Sequence, residues 1–145
     1  MISPVVLPLL VPATTAVACL AAGRKLRLQR AVSVAGALLL LGSGLYLLTR
    51  VRTAGIASLQ VGDWPFPFGI TLAADLFSAV MVVGTGIVAL CVLLYAVPLL
   101  GVEYERDGFH PVAHVLLLGV CGVFLTGGVF NMYVWFEVTL VSSFV

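Results

Sequence analysis

Of the 145 residues, 62% are hydrophobic and only 9% are charged, and the mean hydropathy is +1.23. A soluble domain carries about 25% charged residues, so most of this chain is built to be solvated by lipid. A net charge of +1 without a basic, aromatic-interleaved patch argues against nucleic acid as a partner, and three cysteines with no CxxC spacing read as small apolar residues rather than metal ligands.

Five apolar runs, at 2–22, 31–49, 73–100, 111–127 and 129–145, meet the roughly 20 residues of a bilayer crossing, the last only in part. The first holds Pro4, Pro8 and Pro12, which predict a kinked span whose freed carbonyls are satisfied by neighbouring helices. Residues 16–22 imitate a signal-cleavage region, but no Lys or Arg precedes the apolar stretch, so a retained span is expected. Residues 24–30 then hold four of the seven basic residues. By the positive-inside rule this loop faces the cytoplasm and the N-terminus lies outside, with Arg50 and Arg52 opposing at two charges against four.

Between the second and third runs, 56–61 and 66–72 flank Gly62-Asp63-Trp64-Pro65, the pattern of a small β-hairpin on the outer surface. Pro65 and Pro67 cannot donate to a ladder, which makes the second strand an edge or an irregular one. Trp64, Phe66 and Phe68 suit an interfacial aromatic belt, as do Tyr133 and Trp135 further on. Glu103, Glu105, Arg106 and Asp107 fall in a stretch, 102–110, that reads as a solvated cytoplasmic linker. Thr126-Gly127-Gly128 leaves room only for a tight turn, so the last two spans are antiparallel neighbours. The expected fold is an all-α membrane protein, a bundle of about five transmembrane helices with an extracytoplasmic β-hairpin between helices 2 and 3.

Chemistry concentrates on few residues. Glu137 has no other charge in 131–141, and lies roughly 12 Å along a helix starting near Val129. At that depth a carboxyl must be protonated, hydrated through a polar cavity or paired with a cation, and an intramembrane acid is a functional-site candidate by default. All seven basic residues fall at span ends or in loops, so the partner must come from elsewhere. His110 and His114 are four apart and share a helix face. No third ligand stands at metal spacing, whereas a proton relay at the cytoplasmic end is open to His114, which lies inside the apolar run. Asp75 opens the third span, where a short acid caps free backbone amides or, alternatively, marks an ion path. The glycines at 84, 86, 119 and 122 allow close helix approach and lack the strand-turn-helix setting of a phosphate loop.

The run from Trp64 through Asp75 to Ala79, and Phe130-Asn131-Met132-Tyr133-Val134-Trp135-Phe136-Glu137-Val138, resemble segments of the proton-pumping antiporter-like subunits. His110-Pro111 followed by an apolar span closing on Thr126-Gly127-Gly128 is similar to them as well. Such subunits occur in respiratory complex I, in membrane-bound hydrogenases and in multisubunit (Mrp-type) sodium/proton antiporters, and the pattern is most similar to the antiporter D subunit. The resemblance covers nearly the whole chain but only the first third or so of such a protein, whose members have about fourteen helices. It implies that Glu137 corresponds to a glutamate paired with a lysine on the seventh helix, beyond this sequence. Gly128 stands where relatives often carry an acid. On this reading residues 1–145 are the N-terminal part of a proton-translocating subunit, cut within helix 5.

The function so implied is antiport of Na+ or another monovalent cation against protons, in a cell (inner) membrane, with Glu137, His114 and Asp75 as the ion and proton path. The partners would be the lipid bilayer and other membrane subunits of a hetero-oligomeric complex. No quinone, flavin or cluster motif implies a redox cofactor, and transport rather than an enzyme is the reading. Two rivals stay open: a proton-pumping subunit of a quinone oxidoreductase or membrane-bound hydrogenase, and a non-transporting membrane scaffold.

Overall fold

A computed structural model describes residues 3–23, 25–62 and 69–144. In chain order it contains α1 (Leu7–Ala21), α2 (Leu26–Ala54), β1 (Ala57–Val61), β2 (Ile70–Ala74), α3 (Leu76–Leu99), α4 (Val102–Arg106), α5 (Phe109–Leu125) and α6 (Val129–Ser143). All five apolar runs are therefore helical, and a sixth, short helix joins the third and fourth. Among them α2 and α3 are long and apolar enough to cross a bilayer on length and composition, while α1 and α5 are apolar but shorter.

The prolines of the first run matter less than the sequence pattern predicts. The helix starts at Leu7 rather than at residue 2, so Pro8 occupies its first turn, where the missing N–H has no intrahelical partner to lose. Only Pro12 is interior, and it is fully buried.

The second helix is longer than the run at 31–49. Its 29 residues extend roughly 43 Å, beyond a 30 Å hydrocarbon core. Arg27 and Arg30 are thereby on its first turns and Arg50 and Arg52 on its last, rather than in loops. Its buried positions, Gln29, Ser33, Gly36/Ala37, Leu40, Ser43/Gly44, Leu47 and Val51, form one stripe at helical spacing. On α3 the matching stripe is Ala79, Val82, Gly86, Ala89, Leu93 and Ala96. Small residues let the two backbones close: a Cβ on Gly86 would meet the backbone of Leu41. Gly84, two residues away, faces open space and has no such role.

The hairpin is present, with β1 and β2 antiparallel in the register Ala57↔Ala74 to Val61↔Ile70. Gly62 follows β1 with φ 78°, the left-handed conformation that glycine adopts freely. Among the described residues the second strand begins at Ile70, and Pro65, Phe66 and Pro67 lie outside them. The belt assigned to Trp64, Phe66 and Phe68 lies outside the described residues.

The hairpin closes one end of the bundle. The Gly127 amide donates to the Thr71 carbonyl at 2.8 Å, and Leu72 bridges Thr126, which ties β2 to the turn between α5 and α6. That turn makes α5 and α6 antiparallel neighbours, as its length predicts. Gly119 lies against Thr139 and Gly122 against the indole of Trp135. Trp135 is half-buried and packs its indole over the α5 backbone, whereas Tyr133 is exposed.

Candidate functional site

Ionisable groups collect in three places, and the helices hold them well apart. The first is α6. Glu137 is exposed there and lines a groove of about 470 Å³ with Val112 and Val115 of α5 and Val138, Val141 and Ser142 of α6. Tyr133, one turn earlier, interacts with its carboxylate. Every other wall of the groove is apolar save the Ser142 hydroxyl, which is turned back onto the carbonyl of Val138 at 2.6 Å.

The second place is the opposite face of α5. His110 and His114 are both 0% exposed, consistent with their sharing one helix face. The Nε2 of His114 lies 3.1 Å from both the hydroxyl and the carbonyl oxygen of Ser33 on α2. Alongside them, Glu105 of α4 is also 0% exposed and accepts from Nε and Nη2 of Arg30 on α2, both at 2.8 Å to Oε2.

This corrects the reading of 102–110 as a solvated linker. Glu103, Arg106 and Asp107 are exposed, but Glu105 points inward and is neutralised by an arginine 75 residues earlier in the chain. A five-residue helix places one side chain of its turn against the bundle, and Arg30 is available because α2 begins five residues before the predicted span. The signal in the sequence is a coincidence of polar positions on faces otherwise apolar: Arg30 and Ser33 three apart on α2, His110 and His114 four apart on α5. Nothing in the spacing connects Glu105 to either pair.

The third place is the start of α3. Asp75 is exposed, and its Oδ1 accepts from the Ser78 amide at 2.7 Å, which satisfies one free donor of the first turn. That bond holds the Asp75 carboxyl below the usual carboxylate range. The capping role is therefore realised. Among the described residues no hydrogen bond or ion pair joins Glu137, His114 and Asp75 to one another. His114 faces α2 while Glu137 lies on α6, and Asp75 belongs to the hairpin end.

No family model matches the chain. It is 39% identical over 140 residues to the D subunit of the Na(+)/H(+) antiporter of Bacillus subtilis, covering 97% of this chain and 28% of that protein. The protein of the same name from Alkalihalophilus pseudofirmus is 38% identical over 97% of this chain and 29% of its own length. The D subunit of a probable K(+)/H(+) antiporter of Rhizobium meliloti is 34% identical over 96% of this chain and 26% of its own. Among solved structures, the Mrp complex from a Dietzia species matches with TM-score 0.85 and 28% identity, over 97% of this chain and 26% of the matched one. A chain of an archaeal membrane-bound sulfane sulfur reductase matches with TM-score 0.82 at 24% identity, over 97% and 29%, which is a likeness of fold alone. The chain thus spans under a third of the length of the relatives it matches.

Proposed function

We propose that this chain, which belongs to the D-subunit family of multisubunit cation/proton antiporters, forms the N-terminal part of a subunit exchanging a monovalent cation for protons. The matched relatives are named for sodium in two cases and potassium in another, so the cation is Na+ or another monovalent ion. The reading extends to five crossings of the plasma membrane by α1, α2, α3, α5 and α6, with the N-terminus and the hairpin outside. The basic residues at the α1–α2 connection support that orientation. The partners are other membrane subunits of the assembly and the lipid around it.

The observation that carries the proposal is Glu137. It is an acid on α6 in a groove whose walls offer it almost no polar support. An acid on a membrane-embedded helix is a functional-site candidate by default, and a counter-cation moving toward and away from it would drive proton release and uptake there. The resemblance supplies such a group as the lysine of a later helix. His114 carries protons at the α4 end of α5, and Asp75 stands at the mouth on the hairpin side.

The test is Glu137→Gln in the complete subunit, assembled in its complex and assayed in everted vesicles. Sodium- or potassium-driven proton movement should fall to the level of vesicles lacking the complex. Exchange at the parental rate would remove Glu137 from the path and the proposal with it.

A further inference from the structure

Three side chains at the α4 end of the bundle are fully buried, titratable and incompletely partnered. Glu105 spends Oε2 on Arg30 and leaves Oε1 without a partner. His110 has neither Nδ1 nor Nε2 bonded, and His114 has Nδ1 free. Buried polar atoms are normally satisfied, and in a lipid-solvated protein an orphan is especially costly. Of the six unpartnered buried side-chain atoms among the described residues, four fall on three side chains at this end: Glu105 on α4 and, one turn apart on α5, His110 and His114. A buried water makes about three hydrogen bonds to such groups, so water is the partner that would complete them.

The tautomer of His114 can be deduced. The Ser33 carbonyl can only accept, so its contact with Nε2 requires the proton on Nε2. A neutral ring then presents its lone pair at Nδ1, the orphaned atom. His110, one turn away, is free at both nitrogens and can take a proton on one while losing it from the other. Arg30 keeps Glu105 supplied with a counter-charge, and its own side chain is 29% exposed, so it connects the buried group to the aqueous side. Lys25 and Arg27 on the neighbouring turn, and Glu103, Arg106 and Asp107 around α4, are exposed and contribute only a screened field.

We infer that Arg30, Ser33, Glu105, His110 and His114 enclose a hydrated proton-uptake site at the α2–α4–α5 end, in which protons pass by water through His110 and on to Nδ1 of His114, beside the Glu105 carboxylate that Arg30 holds. No bond to carbon changes. A proton arriving from bulk water binds one nitrogen of His110, the proton on the other leaves to water, and tautomer exchange resets the ring. The inference rests on the antiport reading above and adds the route by which protons reach the interior.

The experiment uses the complete subunit in its complex, in everted vesicles, across pH 6–9. His110→Gln keeps a donor and an acceptor for water but cannot carry a proton. Relay predicts that its exchange rate falls at least tenfold with assembly unchanged and that the pH profile shifts, with no rescue by this polar replacement. A parental rate and profile in His110→Gln would reduce His110 to a structural residue and overturn the relay. Glu137→Gln, run in parallel, separates the two ideas: loss there with parental His110→Gln sinks only the uptake site. Should His110→Gln fail to assemble, high-resolution density of the unsubstituted complex decides. Ordered water between Glu105 Oε1 and the His110 ring is the expected result, and a dry gap or a side chain filling it overturns the site.

Discussion

The two ends of this bundle are finished in different ways. At the hairpin end, β2 pairs with β1 and reaches over the α5–α6 turn through main-chain contacts, and the one acid described there, Asp75, is exposed and occupied with capping α3. At the α4 end, an acid and two histidines are taken fully out of solvent, and an arginine is drawn in to meet the acid. Main-chain closure with an exposed cap suffices to end a helical bundle. Burying ionisable groups does not improve on it, because desolvation offsets much of the attraction of a buried pair.

Substitutions can break or sharpen that contrast. The largest effect on stability is expected at the polar end. Arg30→Met leaves Glu105 buried without its counter-charge, a loss of about 3 kcal/mol or more. The subunit should then be scarce in the membrane, and adding Glu105→Leu should restore much of its amount. If the double variant is as scarce as the single, the pair is not what stabilises this end. Next comes the helix pair carrying Glu137. A Cβ on Gly122 would collide with the Trp135 indole, so Gly122→Ala should cost about 1–3 kcal/mol, read as a lower thermal midpoint of the solubilised complex. Combining it with Trp135→Leu should relieve the clash.

The smallest effect belongs to the hairpin end. Asp75→Ala removes a cap and should lower the thermal midpoint slightly, with Asp75→Asn close to the parent. The sign with pH follows from the carboxyl being held below its ordinary range. Its contribution is complete above the unfolded value near 3.9 and is lost as pH falls through the lower folded value. A stability that rises on acidification, attributable to Asp75, would contradict this. Placing Asp75 at the mouth predicts a lower exchange rate in Asp75→Asn, which keeps the cap, and a parental rate would leave capping as its whole role.

How much can be read from sequence differs between these ends for a physical reason. Periodicity and turn chemistry are local, so the antiparallel α5–α6 pair, the hairpin and the Asp75 cap are all legible from Gly-Gly, Gly-Asp and an acid before Leu76. Boundaries are less so. α2 outruns its apolar stretch because helix continues through charged residues that hydropathy excludes. The role of Trp135 is hidden too, since an aromatic near a span end looks the same whether it faces lipid headgroups or a glycine on the next helix. The Glu105–Arg30 pair is not legible at all. It joins positions 75 residues apart, and no local pattern marks which acid among the charged residues of that stretch turns inward.

The tie between Thr71 and Gly127 has a consequence for the acid on α6. That helix springs from a turn pinned to a strand edge, so its axial position is indexed to the sheet instead of being left to slide in lipid. Glu137 stands nine residues past Gly128, roughly 13 Å from the anchored turn, so its height is set relative to the hairpin. On the antiport reading proposed above, the strap would make the carboxyl a stationary post for a counter-cation.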